Sequence, residues 1–168
     1  MAAFEGVDYY ALDGLLSDEQ KLVRDTVREF VSDKILPVID EHQREGTFPV
    51  EALPVMADMG LLGANLEGYG LPGLDNISYG LILQELERGD SGLRSFVSVQ
   101  GALCMYPIWR YGSEAQKQQW LPAMGSGDVI ACFGLTEPDA GSDPGAMRTC
   151  AELDGGEWVL NGVKYWIT

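Results

Sequence analysis

The chain has 168 residues, 46% hydrophobic and 22% charged, so it can bury one ordinary core and does not have the composition of a disordered segment. Its 11 Lys and Arg residues against 26 Asp and Glu residues give a formal charge of −15, which opposes binding to nucleic acid or to an anionic membrane surface. No signal-peptide pattern and no apolar run of about 20 residues is present, so we expect a soluble, non-secreted protein with no membrane partner.

The cysteines and the histidine exclude two common site chemistries. Cys104, Cys132 and Cys150 are odd in number and lack CxxC spacing, so we expect three buried, reduced thiols and no metal site. The single histidine, His42, lies in a polar stretch that favours a solvated helix face over catalysis. Any chemistry must therefore use carboxylates, hydroxyls, backbone groups or a cofactor.

The first part of the chain has helical periodicity. Ser17 to Gln20 is a capping box that opens an amphipathic helix, and Pro37 should end or kink that helix. A second short helix is predicted over 50–59, with Gly60 as its C-terminal stop. A glycine-rich loop follows over 63–75.

Three further helices are predicted before the pattern changes. Apolar residues at helical spacing predict a helix over 76–88, and Asp90 or Ser91 can cap another that runs to about Met105. A second capping box, from Ser113 to Gln116, opens a helix that should stop near Leu121 and Pro122.

After Gly127 the pattern becomes extended. It predicts strands over 129–135, 147–153, 157–160 and 163–168, with hairpin turns at 154–156 and 161–162. We therefore predict an α+β protein, with an all-α domain over 1–128 and the first, incomplete part of a β domain over 129–168. A small sheet with an open edge is normally completed by more chain.

The segment 133–145 is a strand that leads into a loop rich in Gly, Pro, Ser and Asp. Its backbone N–H groups and hydroxyls could hold a cofactor, but the residues by themselves favour an ordinary turn-rich connection. Glu137, Asp139 and Asp143 would oppose a bare polyphosphate.

A polar stripe marks the helix after Asp90. Ser91, Arg94, Ser95 and Ser98 share one face of it, which suits either a cavity wall or a solvated surface. Arg94 could also be held by Glu87 or Asp90 in a structural ion pair.

Near Thr168, strand alternation puts an aromatic plane and a hydroxyl on one face. Trp166 and Thr168 could face a planar heterocycle or pack in a core.

These segments together resemble the acyl-CoA dehydrogenase family. The resemblance rests on 132–138, 141–143 and 160–168, with support from 111–114 and 121–122. It implies a helical domain, a β-barrel domain and a C-terminal helical bundle, usually assembled as a tetramer, with FAD bound between domains and subunits. It also implies α,β-dehydrogenation of an acyl-CoA, with an electron-transfer flavoprotein as the acceptor. The family's catalytic glutamate belongs to the C-terminal domain, so no acid of this chain is assigned as the base.

The resemblance also implies roles for individual residues. Thr136 would lie near the flavin pyrimidine ring, Trp166 would pack on the isoalloxazine, and Thr168 would donate a hydrogen bond near N5. Ser142 would also approach the CoA portion. The complete cofactor set is Phe133, Leu135, Thr136, Gly141, Ser142, Trp166, Ile167 and Thr168.

Within the family, residues 85–88, 90–92, 94–95 and 98–100 are most similar to glutaryl-CoA dehydrogenase. This similarity implies a distal carboxylate at Arg94, and possible decarboxylation to crotonyl-CoA. The implied substrate residues are Glu87, Arg94, Ser95, Ser98 and Ser142. Gly89, Leu93, Phe96 and Val97 depart from that subfamily, which leaves the length of the diacid open.

Two other functions are open at this point. One is a truncated, non-catalytic paralogue that serves assembly or binding, and the other is an oxidase or flavin monooxygenase of the same architecture. The compartment implied for the enzyme is the cytoplasm in a bacterium, or the mitochondrial matrix in a eukaryote.

Overall fold

A computed structural model describes residues 7–168. The chain forms a helical part followed by a small β part, as predicted. The α-helices are α1 Asp18–Phe30, α2 Ile39–Glu45, α3 Ala52–Asp58, α4 Asn76–Gly89, α5 Ser91–Ser98, α6 Tyr106–Tyr111 and α7 Glu114–Gly125. Short 3-10 helices span Leu12–Leu15 and Pro144–Ala146, and π-helical turns span Val31–Ile35 and Val99–Met105. The strands are β1 Glu67–Gly68, β2 Leu71–Pro72, β3 Cys150–Asp154 and β4 Glu157–Asn161.

Side-chain caps set the helix starts as predicted. The hydroxyls of Ser17 and Ser113 accept hydrogen bonds from the amides of Gln20 and Gln116, and both glutamines complete a capping box. Asp75 caps α4 and Asp90 caps α5 in the same way.

The helices enclose two apolar clusters. The larger one joins α1, α4 and α5 to the π-helical turn 31–35, α2 and α3, and it includes Val27, Phe30, Ile82, Leu86, Leu93 and Val97. The smaller one joins the π-helical segment 99–105 to α7 and includes Leu66, Cys104, Met105, Leu121 and Met124. Because α5 contributes Leu93 and Val97 to the larger cluster, its polar stripe is fixed relative to α4.

Two helix boundaries differ from the prediction. The helix that starts at Ser91 does not end near Met105 but continues through π-helical turns into α6. Pro107, which has no N–H to donate, lies in the first turn of α6. The helix α7 runs through Pro122 to Gly125. Burial of Leu121 and Met124 in the smaller cluster outweighs the breaking tendency of the proline.

The β part is smaller than predicted. The segments 129–135 and 163–168 are not strands, and among residues 7–168 the only strands that pair after Gly127 are β3 and β4, an antiparallel hairpin. The turn at 154–156 is present, but 161–162 does not lead into a paired strand. The backbone of 129–135 instead bonds to the helical part, because Val129 N–H donates to Ala123 O and Ala131 N–H donates to Gln100 Oε1.

The prediction of three buried thiols is wrong. Cys104 is buried in the smaller cluster, but Cys132 and Cys150 are exposed. Cys150 lies on β3, and every residue of the β3–β4 hairpin is exposed in the part of the chain described. Across that same part, no helix combines the length and apolar character that a membrane crossing requires.

A buried carboxylate joins α1 to α4. Glu85 is 1% exposed, and its oxygens accept hydrogen bonds from Arg28 at 2.7 and 3.1 Å and from Arg88 at 2.9 Å. Burial alone would raise the pKa of Glu85, but the hydrogen bonds from the two guanidinium groups outweigh burial and lower that pKa. Glu85 is therefore charged and paired in the folded protein.

We predict that Glu85→Gln lowers the free energy of unfolding by about 2 kcal/mol, because both arginines reach solvent and the pair is not fully buried. The carboxylate pKa is lower in the folded state, so its contribution is present above about pH 4.3 and is lost as the pH falls further. Urea unfolding at pH 7 and at pH 3.5 measures both effects. The control is Glu29→Gln, an exposed site on α1. An equal loss for the two variants at pH 7 would contradict the prediction.

Candidate functional site

The junction of α4 and α5 brings together most of the predicted substrate residues. Arg94 Nε donates to Glu87 Oε2 at 2.6 Å, and Ser91 Oγ donates to Glu87 Oε1 at 2.6 Å. Arg94 Nη1 lies 3.5 Å from Ser98 Oγ, which itself donates to the carbonyl of Ser95. The ion pair with Glu87 is therefore formed, and Asp90 instead caps α5 and accepts a hydrogen bond from Gln43.

Arg94 keeps hydrogen-bonding capacity in this arrangement. Its strong contact uses Nε alone, and within residues 7–168 its Nη2 makes no hydrogen bond. The side chain is 36% exposed, so the guanidinium can be approached from outside. Hydrogen bonds from Ser91 and Arg94 lower the pKa of Glu87, which keeps this carboxylate charged and the guanidinium oriented.

The loop 133–145 is held by a buried carboxylate that sequence reasoning misjudged. Glu137 is 7% exposed and accepts hydrogen bonds from the backbone N–H groups of Arg148 at 2.7 Å and Thr149 at 3.0 Å. Lys164 Nζ donates to the same carboxylate at 3.0 Å. The N–H of Arg148, followed by the hydrogen bonds from Thr149 and Lys164, lowers the pKa of Glu137 to about 2.

The acidic character of the loop is therefore largely neutralised. Glu137 turns inward to Lys164, and Asp139 lies 3.5 Å from Arg148. The objection that these acids would repel an anionic cofactor thus applies mainly to Asp143, which caps the short helix Pro144–Ala146 through the N–H of Gly145.

Two contacts join this loop to the segment that carries Trp166. Lys164 Nζ donates to Leu135 O at 2.9 Å, and Tyr165 N–H donates to Thr136 O at 2.8 Å. Leu135 and Thr136 therefore run beside Lys164 and Tyr165. Residues that the sequence places 29 positions apart are brought into one local structure.

The predicted cofactor residues are accessible around this junction. Trp166 is 83% exposed, and its backbone φ of 57° is unusual for a residue with a side chain. Its indole packs edge-on against Tyr165 at 4.8 Å. Within the described chain, no hydrogen bond is made by the side-chain hydroxyls of Thr136, Ser142 and Thr168. The remaining members of the set, Phe133, Leu135, Gly141 and Ile167, are exposed or half-buried.

The available donors are suited to a largely neutral ring system. They are hydroxyls and backbone N–H groups beside an exposed indole, without a free lysine or arginine in the loop itself. Among the described residues, no group of His, Cys, Asp and Glu could hold a metal ion. A planar cofactor of the flavin type fits this donor set.

Lys164 and Gln100 hold backbone segments of this region through hydrogen bonds, and the sequence analysis assigned neither of them a role. Lys164 belongs to the segment 160–168 that carries the resemblance, so its place there was a usable signal. Gln100 likewise belongs to segment 98–100 of the subfamily similarity, but its role depends on hydrogen-bond partners that the sequence does not indicate.

The family model described as acyl-CoA dehydrogenase, N-terminal domain, matches residues 17–128, and the model for the middle domain matches residues 132–168. The chain belongs to the acyl-CoA dehydrogenase family. The helical part and the Glu137 loop are thus portions of two successive domains of that family. The predicted domain boundary near Asp128 stays a prediction.

Several family members are similar over nearly the whole chain. A glutaryl-CoA dehydrogenase from Mycobacterium smegmatis, solved in complex with FADH2, is 50% identical with a TM-score of 0.91, over 94% of this chain and 41% of its own. The glutaryl-CoA dehydrogenase of Desulfococcus multivorans is 40% identical over 94% of this chain and 41% of its length. The human mitochondrial short-chain specific acyl-CoA dehydrogenase is 38% identical over 91% of this chain and 37% of its own length. This chain therefore spans about two fifths of the length of these relatives.

We predict that Glu137→Gln loosens the loop without unfolding the helical part. The amide cannot accept as strongly from the N–H groups of Arg148 and Thr149, and it loses the charge opposite Lys164. Hydrogen exchange of those two amides should become several-fold faster, while that of α1 and α4 stays unchanged.

The control for this change is Glu152→Gln on the exposed strand β3. Since the pKa of Glu137 is about 2 in the folded protein, its contribution is present above about pH 4.3 and is lost as the pH falls toward 2. Exchange rates at Arg148 and Thr149 that match those of the Glu152 variant would contradict the assigned role.

Proposed function

We propose that this protein is the front portion of an FAD-dependent acyl-CoA dehydrogenase that acts on the CoA thioester of a short dicarboxylic acid, with glutaryl-CoA as the expected substrate. The observation that carries the proposal is the hydrogen bonding of the Arg94 side chain. Glu87 orients the guanidinium of Arg94 through Nε. In the described chain, the outer nitrogens of Arg94 have no hydrogen-bond partner except Ser98, at 3.5 Å. Two outer N–H groups on a planar cation match the geometry of a carboxylate.

The neighbouring groups support a site for a distal carboxylate. Ser98 lies one helical turn from Arg94 and can add a hydroxyl, while Ser95 lies beside it on α5. The buried Leu93 and Val97 fix the rotation of α5, so the polar face stays turned away from the core. The similarity to glutaryl-CoA dehydrogenases from two bacteria agrees with this choice of substrate.

The second half of the proposal is a flavin site at the junction of the Glu137 loop and the Trp166 segment. When bound, FAD supplies the acceptor for a hydride from the acyl chain. Thr136, Ser142 and Thr168 would contribute hydroxyl contacts, Trp166 a planar surface, and Phe133, Leu135, Gly141 and Ile167 the surrounding walls. Glu137 and Lys164 would hold together the two segments that carry these residues.

The remaining assignments concern the whole protein. By resemblance to the family, we assign the catalytic carboxylate and much of the FAD and CoA contact surface to the family's C-terminal helical domain, and we propose that the complete enzyme is a tetramer. An electron-transfer flavoprotein is the proposed acceptor, decarboxylation to crotonyl-CoA the proposed second step, and the cytoplasm or the mitochondrial matrix the compartment. The relatives are named as dehydrogenases, which favours an enzyme over a non-catalytic binding module.

We predict that Arg94→Gln in the full-length enzyme lowers kcat/KM for glutaryl-CoA roughly 10- to 100-fold, since a charged hydrogen-bonded pair is worth about 1.5 to 3 kcal/mol. The site is partly exposed, so a larger loss is not expected. Pentanoyl-CoA lacks the distal carboxylate and should lose far less. Kinetics with both substrates and a dye acceptor measure the difference.

The matched control is Arg110→Gln, which removes an exposed arginine from α6. Equal losses for glutaryl-CoA and pentanoyl-CoA in the Arg94 variant would mean that Arg94 serves only the fold through Glu87. Wild-type enzyme without flavin bands in its visible spectrum would refute the proposed function itself.

We also predict that residues 1–168 expressed alone neither retain FAD nor dehydrogenate an acyl-CoA. The proposed flavin contacts lie on an open surface in this part of the chain, with Trp166 83% exposed, so one wall of the site must come from elsewhere. Equilibrium dialysis with FAD and a dye-reduction assay with glutaryl-CoA measure the two properties. Turnover by the 168-residue chain would contradict the prediction.

A further inference from the structure

The side chain of Gln100 connects the helix that carries Arg94 to the start of the Glu137 loop. Gln100 is 1% exposed, in the first π-helical turn after α5. Its Nε2 donates to Met124 O at 3.1 Å and to Val129 O at 2.8 Å, and its Oε1 accepts from Ala131 N–H at 3.0 Å. Both N–H groups and the carbonyl of the amide are thus used.

The three partners lie at the boundary between the two matched domains. Met124 is near the end of α7, in the helical domain, whereas Val129 and Ala131 lie between the regions that match the two family models, 17–128 and 132–168. Ala131 comes two residues before Phe133, the first of the proposed flavin contacts. A single buried side chain therefore fixes the path of the backbone as it enters the flavin loop.

The helix that carries Gln100 also carries Arg94, and it connects Gln100 rigidly to the proposed carboxylate site. Arg94 and Gln100 lie six residues apart in one continuous helix, which is about 9 Å along a helix axis. Leu93 and Val97 anchor that helix in the larger cluster. Any movement of Gln100 relative to Ala131 would change the spacing between Arg94 and the flavin loop.

We propose that Gln100 is a positioning residue of the dehydrogenase reaction, which sets the distance between the carboxylate-binding Arg94 and the flavin-binding segment 133–136. The inference rests on the proposed function. An acyl chain held at its distal end by Arg94 places its reacting carbons at a fixed distance from that anchor. The flavin segment must stand at the matching distance, and displacements near 1 Å are costly in such reactions.

The test uses the full-length holoenzyme with Gln100→Met, which keeps the size of the side chain but cannot form the three hydrogen bonds. We expect the rate of flavin reduction by saturating glutaryl-CoA to fall roughly 10- to 100-fold, with a much smaller change in KM. Hydrogen exchange at the Ala131 amide should become faster in the same variant, whether or not substrate is present. The matched control is Gln84→Met at an exposed position of α4, with neither effect.

The variant Gln100→Glu provides a second measurement if the methionine variant folds poorly. A carboxylate that faces two carbonyl groups in a buried site has a raised pKa. Its protonated form can still donate one hydrogen bond and accept from Ala131. The flavin-reduction rate and the stability should therefore approach those of the wild type at acidic pH and fall as the pH rises through that raised pKa.

The outcomes separate a positioning role from a purely structural one. If folded Gln100→Met holoenzyme reduces its flavin within about twofold of the wild-type rate, Gln100 only stabilises the fold and the proposal is wrong. Slow exchange at Ala131 in that variant would also overturn it. If wild-type holoenzyme is not reduced by any acyl-CoA, the proposed function is wrong and the positioning role is wrong with it. Faster exchange at Ala131 in the Gln100→Met variant would then show only that the hydrogen bond to Ala131 had been lost.

Discussion

The cap at Asp90 is the constraint on which the candidate site depends. Its backbone is extended between two helices, and its carboxylate accepts the N–H of Leu93 at the start of α5. A Cβ at Gly92 would lie 2.9 Å from Oδ1 of Asp90, so a side chain there would displace the carboxylate that caps α5. Gly89 similarly allows α4 to approach Val31. This turn sets the direction of α5, and with it the positions of Arg94, Ser98 and Gln100.

Buried polar side chains fix the other segments of the chain relative to these helices. Glu85 joins α4 to α1, Gln100 joins the α5 helix to the linker, and Glu137 joins the loop to Lys164. Each is almost fully buried and has its hydrogen-bonding groups paired, which is the condition under which a buried polar group specifies one arrangement. The exposed groups of the site are therefore attached to a frame that has little freedom to adjust.

The sequence was sufficient wherever a local signal decided the structure. The capping residues Ser17, Asp90 and Ser113 marked helix starts correctly, and the stripe from Ser91 to Ser98 indicated a polar helix face. It was insufficient where a distant partner decided. Pro122 continues a helix because Leu121 and Met124 are buried, and 129–135 is not a strand because its partner is a glutamine from the helical part. The inward turn of Glu137 depends on Lys164, 27 residues away.

The exposed β3–β4 hairpin affects how readily copies of the incompletely folded chain associate. Its two strands carry Trp158, Val159 and Leu160 beside backbone groups that can pair with any passing strand. Glu152, Asp154 and Glu157 place negative charge on the same hairpin, and the chain as a whole carries a formal charge of −15. Two copies that meet edge to edge at this stage would repel each other. The same negative charge that opposes nucleic-acid binding would thus also protect an incompletely folded sheet from aggregation.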